Sequence, residues 1–391
     1  MTTPMATDSI ALPTPGGEWR TIRLAEPGGW VEHPRGFDSR EVFAAAHVAA
    51  DPLGDNVPGA PAAIDWDATL AFRRELFRYG FGIAEAMDTA QRNMGLDWPA
   101  VQELVRRSAE QAASHGARIA SGAGTDHCGT LQCVADVIDA YIEQVAFVES
   151  TGSEVILMAS RQLAAIARGP DDYLHVYSRV LDQVSKPVIL HWLGEVFDPQ
   201  LSGYWGDTDI AAATETFLQL VRQHCDMVDG VKVSLLSADH EIGLRRQLPG
   251  GVRLYTGDDF NYPDLVRGDG AYHSDALLGA FAAVAPAASA ALAALDNSDL
   301  AGYDSAMAPT LPLSRHLFAA PTYHYKAGIA FLAWLNGHQP GYAMVGGLQT
   351  ARSPLHLSTL FHLANEARLL RDPDLAAARM NAWLEVQGVQ R

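Results

Sequence analysis

From about residue 65 onward, hydrophobic positions along the chain recur with two alternating periods. Residues 66–79 place Leu70, Phe72, Leu76 and Phe77 mainly at three- and four-residue steps and end at Gly80, which predicts an amphipathic helix. A short apolar run at 81–87 reads as a strand. Asp97, Trp98 and Pro99 then open a second helix, whose Val101, Leu104, Val105 and Ala112 line one side as far as Gly116. The cycle continues with strand 117–120, helix 134–148, strand 153–158, helix 171–184, strand 187–192 and helix 209–224. Strand 230–236, a short helix at 241–247 and strand 252–256 complete it.

Short apolar strands that each lead into an amphipathic helix predict parallel βα units, with strands buried on both faces. With 21–24 as a first strand and 271–278 as a last, the count is about eight, the number in a (β/α)8 (TIM) barrel. A doubly wound sheet is the runner-up, but no Gly-x-Gly-x-x-Gly follows the first strand and no phosphate-binding loop occurs. The expected organisation is a loose tail over 1–17, the barrel over 18–285, and a helical extension over 286–391 packed on it. Residues 28–63 are too long for an ordinary βα loop and read as an insertion over the active-site face.

Composition narrows the partners. The 391 residues are 48% hydrophobic and 19% charged, and 28 basic against 46 acidic side chains give a net charge of −18. Such a chain has no long-range attraction for nucleic acid or an anionic membrane, which leaves a small molecule as the expected ligand. No segment has the uninterrupted apolar length of a membrane span. The start lacks the pattern of a secretory signal, and three scattered cysteines, Cys128, Cys133 and Cys225, read as reduced thiols, so a cytoplasmic location is expected. Among the basic residues only Lys186, Lys232 and Lys326 are lysines; the other 25 are arginines. The apolar helical stretches 327–335 and 355–369 exceed what one barrel exterior needs, which predicts a homo-oligomer built through them.

Lys232 lies inside the apolar run Gly230-Val231-Lys232-Val233-Ser234-Leu235. Period 2 sends Val231, Val233 and Leu235 toward the helix layer and Lys232 with Ser234 into the barrel. Burial there disfavours the ammonium and frees a neutral amine for attack on a carbonyl carbon. Arginine, with its higher pKa, cannot do this. Lys232 is therefore the candidate Schiff-base residue, and no cofactor is required.

Three segments, Gly230-Val231-Lys232, Pro187-Val188-Ile189-Leu190-His191-Trp192 and Tyr255-Thr256-Gly257-Asp258-Asp259, in this order and spacing, resemble the dihydrodipicolinate synthase and N-acetylneuraminate lyase family of class I aldolases. The resemblance covers roughly residues 20 to 340 and marks a divergent branch. It implies that Lys232 forms an imine, and it places Asp88, Thr89, Trp192, Ser234, Gly257, Asp258 and Asp259 around the substrate. His191 stands where the family has a proton-relaying tyrosine, and an imidazole can serve as general acid and base. The family's Gly-Thr-Thr-Gly-Glu loop is replaced by Ala86-Met87-Asp88-Thr89-Ala90-Gln91, and its arginine after the fifth strand by Gly194-Glu195-Val196-Phe197. Because Asp88 repels a carboxylate at short range, the expected substrate is a keto sugar or keto sugar acid derivative rather than pyruvate.

Two other readings use the same face. His127, His191, Glu195 and Asp258, with Asp259, could offer ligands to a divalent metal in an aldolase or sugar isomerase. A catalytically silent ligand-binding barrel is the other. Tyr323-His324-Tyr325 reads as packing or a subunit contact in a helical stretch.

Overall fold

The computed structural model describes residues 8–391. Among the described residues ten strands occur: β1 (Ser9–Pro13), β2 (Trp19–Arg23), β3 (Val42–Ala45), β4 (Gly82–Glu85), β5 (Ile119–Ala123), β6 (Glu154–Leu157), β7 (Val188–Leu193), β8 (Val228–Ser234), β9 (Arg253–Thr256) and β10 (Asp275–Leu278). Strands β3 to β10 pair in parallel, in chain order, and β10 closes on β3. This is a (β/α)8 barrel with additional C-terminal helices.

The helices follow from local signals. Asp65 caps helix Trp66–Arg78 through the Ala68 amide; Asp97 caps Trp98–His115 through Ala100, with Pro99 in its first turn and left-handed Gly116 at its end. The barrel interior is filled by inward side chains of alternate residues, among them Phe43, Ala84, Ala120, Ile156, Ile189, Tyr255 and Leu277. The intervening residues, such as Leu190, Val231 and Val233, pack against the helices.

Four organisational expectations are corrected. Residues 21–23 do form a strand, but they pair antiparallel with Ser9–Pro13 in a hairpin outside the barrel. Part of the expected tail is thus ordered strand; residues 1–7 lie outside the described residues. The first barrel strand is instead β3, inside the segment read as an insertion, and the long βα connection is 46–65. The eighth barrel helix is Phe281–Asp296, so the extension begins after it.

The extension comprises helices Leu300–Met307, Thr310–Leu317, Tyr325–Leu335, Pro354–Glu366 and Pro373–Val386. Its apolar faces are used within the chain: Ile329, Phe331, Leu357, Leu360 and Phe361 share one core with Phe281, Ala288 and Leu292. The reason given for a subunit interface through these helices therefore falls away. No helix among the described residues is long and apolar enough to cross a membrane.

Candidate active site

Parallel pairing sets His191 on β7 opposite Lys232 on β8, with Lys232 in turn opposite Tyr255 on β9. Lys232 points inward and is 5% exposed. Its side chain passes against Gly257, where a Cβ would sit 2.9 Å from Lys232 Cε and 2.2 Å from Ser234 Oγ, so only glycine leaves room for the lysine. Among the described residues Lys232 Nζ makes no hydrogen bond. Burial lowers its pKa, while Asp88 and Asp259 pull the other way. Asp259 is itself pushed well above the carboxylate range by burial, with its Oδ1 accepting the Ala280 amide at 2.8 Å. Low dielectric thus moves both partners toward their uncharged forms.

His191 Nε2 lies 3.2 Å from Ser234 Oγ, and its Nδ1 is buried without a partner among the described residues. Burial holds the imidazole well below its ordinary value, and any charge on Lys232 would push it the same way, so it is neutral. Asp88 and Thr89 follow β4 in a single 3-10 turn. The Tyr325 hydroxyl donates to Asp88 Oδ2 at 2.7 Å and lies 2.6 Å from Thr89 Oγ1. A phenol has one proton to give, so Thr89 donates to Tyr325 and the chain of bonds ends on the carboxylate. Tyr325 stacks on Phe318 at 4.2 Å and is closely approached by Gly279, which follows β10.

The strand ends open into a cavity of about 510 Å³ whose wall includes Asp88, Thr125, Ser160, Arg161, His191 and Asp198. Active sites of this fold sit at this end. A larger cavity, about 750 Å³, lies at the opposite end, and two of its arginines have structural work: Arg40 donates to the Val266 and Arg267 carbonyls, and Arg118 to Glu154.

Of the sequence-predicted residues, Lys232, His191, Ser234, Gly257, Asp259, Asp88 and Thr89 converge at the barrel mouth. Trp192 does not: its ring is 2% exposed and packs outward on Phe217, Trp205 and His240, as period 2 requires for the neighbour of an inward His191. Asp258 is engaged locally, its carboxylate accepting from Phe260 N, Asn261 N and Asn261 Nδ2 in its own turn. The expected metal set is dispersed as well. His127 packs on Trp98 and meets Gln144 at 2.7 Å and Glu143 at 3.2 Å, Glu195 is exposed, and among the described residues no three His, Cys, Asp or Glu side chains gather to hold an ion. Two residues were passed over in the sequence. Tyr325 and Lys326 both reach this site from the extension, and the scarcity of lysine was the one signal that pointed to Lys326.

Residues 10–389 match a family model described as "Protein of unknown function (DUF993)". The chain belongs to this family. Comparison with curated proteins finds no match to its sequence. Solved structures place the DUF993 fold beside the dihydrodipicolinate synthase family, as the sequence motifs anticipated. The 4-hydroxy-tetrahydrodipicolinate synthase of Methylacidiphilum fumariolicum SolV is 16% identical, with a TM-score of 0.64 over 88% of this chain and 98% of that one. The dihydrodipicolinate synthase of Aquifex aeolicus is 13% identical, with a TM-score of 0.62 over 83% and 97%. YagE, an E. coli K12 prophage protein of the same family solved in complex with pyruvate, is 14% identical, with a TM-score of 0.60 over 90% and 99%. At these identities the likeness is one of fold.

Proposed function

We propose that this protein is a class I aldolase-type lyase in which Lys232 forms an imine with a carbonyl substrate. The observation that carries this reading is a buried lysine on the inward face of β8, free of hydrogen bonds and desolvated toward its neutral amine. The amine adds to the carbonyl carbon, and loss of water from the carbinolamine leaves the protonated imine. That imine draws electrons from the adjacent carbon, so without a metal a C–C bond to that carbon can break, leaving an enamine that takes up a proton, or a proton can leave that carbon and the C–O bond one carbon further on be eliminated as water. Hydrolysis then returns the amine. Each stage moves protons, and the carboxylate at hand is Asp88, aimed by the Thr89–Tyr325 bonds. His191, neutral and with a free Nδ1, supplies a second hydrogen-bonding partner.

The test is borohydride reduction in the presence of candidate ketones, with mass spectrometry of wild type and Lys232→Arg. A reduced adduct on the wild type that vanishes in the variant, together with activity, is expected. An adduct or activity that survives the substitution would sink the reading. A chain that binds a ketone but traps no adduct would be a binding protein.

A further inference from the structure

The 750 Å³ cavity at the end of the barrel opposite Lys232 adjoins a second, apolar slot of about 200 Å³. The slot lies between helix Trp66–Arg78, the eighth barrel helix Phe281–Asp296 and the extension helix Tyr325–Leu335, and Phe72, Leu76, Ala283, Pro286 and Leu332 line it. Glu75, His338 and Arg371 stand in the walls of both, so the slot opens into the wider cavity. One segment of chain also walls both, with Trp30 over the slot and 34–37 over the cavity. It is pinned at one end by Arg368, whose Nε and Nη2 each donate at 3.0 Å to the Glu26 and Pro27 carbonyls, and further on by the His33 amide on the Arg78 carbonyl at 3.0 Å. Gly80, with φ of 81°, admits this close approach, because a Cβ there would lie 2.4 Å from the His33 oxygen.

The cavity wall carries six arginines against two glutamates, in a chain whose net charge is −18. Helices Trp66–Arg78 and Trp98–His115 end here, and their negative ends account for Arg78 and His115. Arg40 and Arg118 brace the barrel, which leaves Arg35, Arg74 and Arg371 in excess. Among the described residues the Arg371 guanidinium donates no hydrogen bond; it meets Glu75 Oε1 only at 3.9 Å, and its side chain is 58% exposed. Glu75 is held on its other side by Arg78 Nη1 at 2.8 Å, so the one carboxylate at the junction is flanked by two guanidiniums. We propose that slot and cavity together are a second binding site, for an amphipathic anion whose slim apolar tail fills the slot and whose carboxylate or phosphate head meets Arg371 and Arg78. Burial of the tail supplies affinity, and the arginine-rich cleft supplies the selection for an anion. The site is apart from Lys232, so this inference stands or falls independently of the lyase reading.

Octanoate and octyl phosphate carry both parts, octanol only the tail, and acetate and inorganic phosphate only the head. Calorimetric titration of the full chain is expected to show saturable binding of at least one of the two amphiphiles, and which one binds separates carboxylate from phosphate. Octanol and the matching bare anion should bind at least about tenfold more weakly, since each lacks contacts worth a charge-assisted hydrogen bond or more. Arg371→Glu should weaken the amphiphile by at least about tenfold while leaving octanol unchanged, and Ala283→Phe, which fills the slot, should abolish the advantage of the tail. Labelled with 5-fluorotryptophan, the chain gives eight fluorine signals. On saturation that of Trp30, assigned with Trp30→Phe, should shift, while that of Trp205, buried against Tyr177 and Phe217, stays put. This measurement leaves the site itself intact, so it decides the matter even if a variant fails to fold. No saturable binding of either amphiphile, octanol or a bare anion binding as tightly, indifference to Arg371→Glu, or a Trp30 signal that does not move overturns the proposal.

Discussion

His191 keeps one ring nitrogen 3.2 Å from Ser234 and the other buried without a partner, so a substrate hydroxyl or a water can complete it. Since burial holds its pKa well below the ordinary value, the role proposed for it is to accept or share a proton rather than to deliver one from an imidazolium. His191→Asn should therefore leave imine trapping intact and lower turnover by roughly 10²- to 10⁴-fold, the usual range for a proton-transfer group. The wild-type rate profile should show no limb at the ordinary histidine pKa. Unchanged turnover would remove His191 from the chemistry. Lys232 and His191 were legible in the sequence because a strand's period of two fixes which side chains face inward. Trp192 was misplaced although the same period, applied one residue further, sends it outward. Tyr325 and Lys326 were not legible, because a helix pattern records a helix and nothing about a loop more than 230 positions away, the separation of the Lys326–Met94 contact.

Helices and strands of the barrel announced themselves through periodicity and caps, but pairing did not. Residues 21–23 have strand character in either arrangement, and only the tertiary fold decides that their partner is Ser9–Pro13 rather than a barrel edge. β3, Val42–Ala45, went unseen because no amphipathic helix precedes it and the next begins only at Trp66, so the strand–helix alternation that located other strands of the same length did not frame it. What locks that first unit is Arg73 of helix Trp66–Arg78. Its guanidinium grips both oxygens of Glu85 on β4 at 2.8 Å, fully buried, and also donates to the His47 and Thr69 carbonyls. Glu85 Oε1 accepts the amide of Ala86, whose φ of 52° turns the chain toward Asp88. Arg73→Leu leaves a buried carboxylate alone and should cost about 3–5 kcal/mol in denaturant unfolding. Arg73→Leu with Glu85→Leu should restore part of that loss. Equal destabilisation of single and double variants would mean that the pair is not what holds the helix to the strand.

Across the whole molecule, the pH dependence of stability should carry the mark of a carboxyl group far from any solvent. Glu241, in helix Ala238–Arg245 behind the barrel, is 1% exposed and accepts from Thr256 Oγ1 at 3.0 Å and Ser274 Oγ at 2.7 Å. Thr256 Oγ1 in turn accepts the Asp258 amide at 3.2 Å, so this one group braces the end of β9 and the turn beyond it. Burial raises its pKa from the ordinary 4.5 to about 8. The sign follows from where the proton sits. Between those two values the folded chain holds a proton that the unfolded chain has released, so folding takes up a proton and stability falls as the pH rises. The contribution is fully present below 4.5 and is lost as the pH passes through about 8. Its slope is at most about 1.4 kcal/mol per pH unit. Glu241→Gln keeps an oxygen acceptor of the same shape but cannot ionise. Unfolding free energies of the two chains, measured across this window, should lie close together at the acid end and diverge toward the alkaline end, with the variant the more stable there. Profiles that run parallel would mean that Glu241 keeps its charge in the folded protein, and that Arg245 or the two hydroxyls meet the cost.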